Sequence, residues 1–205
     1  FEISCNDGFS SNLIFKLKDS DIFYVSSDTN TAQASGKTLE KVNSFCFASN
    51  GVCNYEGSLW AAFTLTTLGE YDKVKSFLPY LITLSEKNEK FIPDSFLYYI
   101  TDSSEYRSNL LSKQNFNKYW QGDISNNKFY DTAVALYSLI SESPTQKTNA
   151  KNWLLESQGA NGCWENNIRN TAFILHSAWQ DQAPSAPVCF DNSDCRVNVG
   201  DDICI

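Results

Sequence analysis

The stretch Asp131-Thr-Ala-Val-Ala-Leu-Tyr-Ser138 is apolar on nearly every side of a helix, and three further stretches stack on it. They are Ser58-Leu-Trp-Ala-Ala-Phe-Thr-Leu65, Asp94-Ser-Phe-Leu-Tyr-Tyr-Ile-Thr101 and Asn170-Thr-Ala-Phe-Ile-Leu-His-Ser177. In chain order their first residues lie 36, 37 and 39 positions apart. Each stretch opens on Ser, Asp or Asn, whose side-chain oxygens accept bonds from the free N–H groups that begin a helix, so the column predicts four N-caps. An aromatic residue precedes each: Tyr55, Phe91, Tyr130 (or Trp120) and Trp164. A helix apolar all round must be covered all round.

Helices of a second kind separate these stretches. Over 73–84, Val74, Phe77, Leu78, Leu81 and Ile82 form a one-sided stripe, with Pro79 expected to kink it. Over 145–157 the stripe is Ala150, Trp153 and Leu154, and Ser143, Pro144 and Gln146 read as cap, first position and capping box. Buried and half-buried helices alternating at a fixed period predict a mainly α fold: a partial α/α toroid, a two-layer arc of helix hairpins, over 36–181. Residues 38–48 followed by Asn50-Gly51-Val52-Cys53-Asn54-Tyr55 run parallel to 150–158 followed by Asn161-Gly162-Cys163-Trp164, which predicts a further helix and turn. Asp21-Ile-Phe-Tyr-Val25 fits an inner helix or a strand, so 1–35 stays open between an extra repeat and short strands.

A net charge of −8 argues against nucleic acid and anionic membrane surfaces, and no stretch has the continuous apolar length of a membrane span. The seven cysteines contain no C-x-x-C pair, and His176 is the single histidine, so disulfides are expected rather than a zinc site. Cys46 and Cys53 have the spacing for a local bridge, and Cys189 is expected to pair with Cys195 or Cys204. An extracellular or cell-surface location follows. Residues 182–188 read as a Pro/Ala linker and 189–205 as a Cys-rich tail of the kind found in small secreted modules. The start at Phe1 and the lack of methionine suggest a processed piece of a longer product.

Trp153-Leu-Leu-Glu-Ser-Gln158-Gly-Ala-Asn-Gly162-Cys-Trp164, followed by Asn170-Thr-Ala-Phe173, resembles the repeat of the terpene cyclase and protein prenyltransferase superfamily. Its Gln-xxx-Gly-x-Trp motif stands complete at Gln158, Gly162 and Trp164. The resemblance implies that Gln158 caps a helix end and stacks on Trp164, and that Gly162 permits a tight turn. It covers 130–182 well and 50–112 loosely. A closed family toroid has about six helix pairs; this chain has room for fewer, so an open arc is implied.

The relatives' chemistry needs an acidic Asp-x-Asp-Asp cluster, carboxylates holding Mg²⁺, or Asp, Cys and His ligands for zinc. None of these sets is present as a motif, so no metal or cofactor is expected. Asp94 and Asp131, at equivalent places in adjacent repeats, are candidates for the carboxylate pair of a glycan-cleaving ring, with His176 a candidate base. The same two aspartates are explained as caps. Two functions remain: an extracellular interaction module without catalysis of its own, binding a protein or glycan, and an α/α-toroid enzyme acting on glycan or isoprenoid-like substrates. The enzyme would line its channel with inner-helix aromatics such as Trp60, Tyr98, Tyr99, Tyr137 and Trp179.

Overall fold

The structure, a computed structural model, describes residues 1–16, 21–26, 28–122 and 127–179. Among these residues it has eight α-helices and four antiparallel pairs of short strands. Helices dominate from residue 55 onward, but the strands before it correct the expectation of a mainly α chain. The chain divides into two compact units. The first holds Phe1–Glu89 and Phe96–Arg107; the second holds Lys90–Ser95 and the described residues from Ser108 on.

The first unit begins with a nested ribbon. β1 (Glu2–Ser4) pairs with β6 (Lys37–Leu39), β2 (Phe9–Ser11) with β5 (Asn30–Ala32), and β3 (Ile14–Phe15) with β4 (Tyr24–Val25). The described residues of 1–35 therefore hold short strands, the second of the two expectations. At the open end, the nitrogens of Phe1 and Glu40 each donate to the other's carbonyl at 2.7 Å. The Glu40 side chain is buried, where its carboxylate accepts bonds from Ser11 Oγ and from Asn30 Nδ2 and so bridges β2 and β5.

The helix expected over 38–48 does not form. Thr38 lies in β6, and the chain then runs irregularly to a hairpin of β7 (Ala48–Ser49) and β8 (Val52–Cys53). Asn50 and Gly51 occupy its turn at φ 53° and 77°, the double left-handed conformation that an Asn-Gly pair adopts most readily. A disulfide joins Cys46 to Cys53 across 5.5 Å between Cα atoms, as their spacing predicts.

α1 (Tyr55–Thr67) starts directly behind this hairpin. The single kinked helix expected over 73–84 is instead two, α2 (Tyr71–Lys75) and α3 (Leu78–Thr83). Pro79 sits in the first turn of α3, where a missing N–H breaks no helical bond. The Tyr55 hydroxyl donates to the Leu81 carbonyl at 2.6 Å and fastens α1 to α3 inside the core. α4 (Pro93–Thr101) contributes its later turns to this unit. There Trp60 meets Phe96 at 4.9 Å and Phe63 meets Tyr99 at 4.4 Å between ring centroids. Both pairs are separated by the repeat offset of 36, so α1 and α4 run parallel with equivalent positions facing.

The second unit contains the rest of α5 (Ser104–Ser112), then α6 (Lys128–Ser138), α7 (Thr145–Ser157) and α8 (Ile168–Ala178). Its core is built on the fully buried Trp120, Trp164, Leu110, Leu136, Leu139, Leu154 and Ile174. The capping box at Ser143 and Gln146 does not form: Pro144 takes the cap position of α7, with no side-chain bond. Lys147 reaches back instead, donating to the carbonyls of Leu139, Ile140 and Glu142 at 2.9, 3.0 and 2.8 Å and closing the end of α6. α6 and α8 are parallel neighbours: Tyr130 meets Phe173 near one end, and Tyr137 meets His176 near the other. Ser95, in the first turn of α4, donates to the Val134 carbonyl of α6 at 2.9 Å. No helix among the described residues is long and apolar enough to cross a membrane. The expected linker 182–188, tail 189–205 and its Cys189, Cys195 and Cys204 lie outside the described residues.

Candidate functional site

The residues of the Gln-xxx-Gly-x-Trp stretch form a tight turn between α7 and α8, with Gln158 exposed and Trp164 buried. Gln158 is the C-cap of α7, and its Nε2 donates to the Gly162 carbonyl at 2.7 Å. Gly162 has φ 80°, a conformation that costs glycine little and other residues much. The Gly159 nitrogen bonds the Cys163 carbonyl at 2.8 Å, and the Gly162 nitrogen bonds the Gly159 carbonyl at 2.9 Å. Trp164, 1% exposed, donates from its indole to the Leu154 carbonyl at 2.8 Å. Its own backbone nitrogen bonds Thr171 Oγ1 at 3.1 Å, pinning the turn to α8.

A second copy of this turn spans Gln114 to Trp120, 44 residues upstream, which the sequence reading missed. Asn115 N bonds Tyr119 O at 2.7 Å, and Lys118 N bonds Asn115 O at 2.9 Å. The buried Trp120 indole donates to Leu110 O at 2.7 Å, and Trp120 N bonds Thr132 Oγ1 at 3.1 Å. Every bond has its counterpart in the first copy. The glycine is replaced by Lys118, which hides the motif; the equal Gln and Trp spacing was the available signal. A reduced third copy occurs where Phe47 N bonds Ser58 Oγ at 2.9 Å. That contact aligns Cys163 with Cys46, not with Cys53 as the sequence parallel had it. Cys163 is itself disulfide-bonded, while Cys5 is a free, exposed thiol.

The column of polar residues proves not to be a column of caps. The capping side chains are Asn54, Asn127 and Asn167, which accept from the backbone nitrogens of Gly57, Tyr130 and Asn170. Ser58, Asp131 and Asn170 lie three or four residues further on, buried inside the first turns. From there they hold the incoming chain or a neighbouring helix. Ser58 accepts from Phe47, Asp131 Oδ2 accepts from Gly122 N at 3.0 Å, and Asn170 exchanges bonds with Asn127. Asp94, buried in the first turn of α4, pairs with Lys113 Nζ at 2.6 Å. The two candidate carboxylates are thus each engaged within the second unit by a partner of their own.

His176 is exposed on α8, its ring 5.3 Å from that of Tyr137. These two residues hold equivalent positions, 39 apart, on parallel helices. Along the same side of α8, Arg169 lies over the Tyr130 ring at 5.6 Å and half-buried Phe173 meets Tyr130 at 5.5 Å. In the first unit, half-buried Trp60, Phe63 and Tyr99 form a comparable row on α1 and α4. Of the other aromatics proposed to line a channel, Tyr98 is buried, and Trp179 stacks on Trp164 beneath Lys151. Among the described residues, no group of three or more His, Cys, Asp or Glu side chains is arranged to hold a metal ion. Comparison with protein-family models, with curated proteins and with solved structures finds no match to this chain.

Proposed function

We propose that this chain is an extracellular or cell-surface interaction module that binds a protein or glycan through the aromatic side of its inner helices, without turning over a substrate. Its repeats are read as part of a two-layer α/α toroid like that of the terpene cyclases and protein prenyltransferases. The observation that carries this reading is the register of the parallel helix pairs. Trp60 with Phe96, Phe63 with Tyr99 and Tyr137 with His176 are repeat-equivalent residues brought ring to ring, mostly half exposed. Rows of rigid, amphipathic rings are the usual material of recognition surfaces. The enzyme reading is weakened at its proposed carboxylates. Asp94 is spent on Lys113 and Asp131 on the Gly122 nitrogen, so both have structural duties.

The test combines binding with turnover. A panel of immobilised glycans and secreted-protein ectodomains is expected to yield a ligand whose affinity falls about tenfold in Phe173→Ala, as for loss of an interface aromatic. Asp131→Asn should leave binding unchanged. Hydrolysis of a glycan, or conversion of a prenyl diphosphate, that disappears in Asp131→Asn while the fold persists would overturn the proposal.

A further inference from the structure

The first unit contains a cavity of about 560 Å³ between the end of the ribbon and the segment that runs from α2 to the start of α3. One wall is the end of the ribbon, Phe15, Tyr24, Val25 and Ser26; the other is α2 with its flank, Asp72, Lys75, Ser76 and Leu78, and Asn43 completes the rim. Phe15 and Tyr24 are cross-strand partners, with rings stacked at 5.4 Å and 19°. The Tyr24 hydroxyl donates to that of Tyr106 at 3.4 Å and steadies the platform. Burial raises the Tyr24 phenol above its ordinary pKa, so it stays a neutral donor. Ser26 beside the platform and Ser76 on the other wall add hydroxyls, and the rest of the polar lining supplies an amide, a carboxylate and an ammonium. The last two, Asp72 and Lys75, form an exposed ion pair at 2.9 Å, so the lining side chains carry no net charge, while Asn43 Nδ2 donates to the Asp28 carboxylate at 2.8 Å.

We infer that this cavity is a binding site for an uncharged saccharide. A pyranose ring presents a C–H face and an edge of hydroxyls that both donate and accept. The C–H face needs an aromatic platform, which Phe15 and Tyr24 supply. The hydroxyls need side chains of both polarities in a small space: Asn43 and Ser26 do both, Asp72 accepts and Lys75 donates. The paired charges offer nothing extra to an anionic sugar and set no trap for a cation. A volume within the range of small-molecule sites leaves room for more than one ring. This site is separate from the inner-helix aromatics and does not depend on their role.

Ligand-observed NMR and calorimetry on the full chain test the inference with neutral trisaccharides (β-1,4-glucose, α-1,4-glucose, mannose and N-acetylglucosamine series) and their sulfated or uronic-acid counterparts. At least one neutral trisaccharide is expected to bind with millimolar or better affinity. Its affinity should fall about fivefold in Asp72→Ala and in Asn43→Ala, the loss of one or two hydrogen bonds. Both residues are exposed, so the thermal midpoint should be unchanged; Tyr24→Ala, which risks the ribbon, is used only alongside them. Failure of every neutral probe, preference for the anionic series, or binding indifferent to both variants would each overturn the inference. Tyr137→Ala should leave this binding intact, which keeps the result distinct from that of the inner-helix surface.

Discussion

The turns at 114–120 and 158–164 use different residues to make the same connections. In the later one, Gly162 supplies the left-handed backbone, and the Gln158 amide closes the turn on itself. In the earlier one, Phe116 and Asn117 take left-handed conformations at φ 52° and 55°, and the Gln114 amide reaches the Gln146 carbonyl instead. What the two share is an indole N–H bonded to a carbonyl ten residues back and a threonine hydroxyl bonded to the tryptophan's own nitrogen. Those two anchors fix where the chain must be. The residues between them are free to reach that place by more than one backbone path.

The sharpest challenge to this equivalence is to remove each indole. Trp120→Ala and Trp164→Ala should each cost about 3–5 kcal/mol, because both rings are fully buried. Urea denaturation followed by circular dichroism measures both. A difference above about 2 kcal/mol would mean that one turn leans on something other than its tryptophan.

The hydroxyl anchors come next. Thr132→Val and Thr171→Val keep the side-chain shape but strand a buried tryptophan N–H, at a cost of about 1–3 kcal/mol each. Ser58→Ala removes the corresponding bond to Phe47, a residue that is 53% exposed. Water can replace that bond, so the loss should stay below about 1 kcal/mol. Equal losses at all three sites would show that the reduced copy is held as tightly as the two with tryptophan.

The smallest effects test the glycine. Gly162→Ala forces a Cβ onto a left-handed backbone and should cost about 1 kcal/mol, read from the same urea curves. Lys118→Gly should also destabilise, by about 0.5–1 kcal/mol, because Lys118 does not have a positive φ and only adds chain entropy to lose. A stabilising Lys118→Gly would mean that both turns prefer the same backbone path.

The parts legible in the sequence are those where the chemistry is local and repeated. Helices such as α6 could be read from runs such as Ala133-Val-Ala-Leu-Tyr137, and the Cys46–Cys53 bridge from spacing. The ribbon was hard to read because its strands are two or three residues long, too short for alternation to separate them from loops. The hairpin at 48–53 had a clear signal in Asn50-Gly51, which was absorbed into a false parallel with Asn161-Gly162. The polar column misled for a physical reason. Ser, Asp and Asn satisfy stray N–H groups wherever these occur, and here the N–H groups belong to the chain entering the repeat. Asp94 and Asp131 stand out as equivalent in sequence, but their partners, Lys113 and Gly122, come from the segment between α5 and α6, which carries no such alignment.

The nesting of the ribbon bears on how it assembles. Its three pairings join residues 11, 23 and 37 positions apart, as in Ile14 with Val25, Phe9 with Ala32 and Glu2 with Leu39. Closing the outermost pair first would require one long excursion of free chain. Zipping from the tip divides that excursion into stages, each adding only a short loop to what is already closed, and the entropy of closure grows slowly with length. Hairpins form in roughly microseconds, far faster than most tertiary docking. The Glu40 carboxylate, which needs both β2 and β5 before it can be buried with its donors satisfied, then acts as the catch at the far end. Under this order of events, Glu40→Ala slows the last step of ribbon closure and leaves the first untouched.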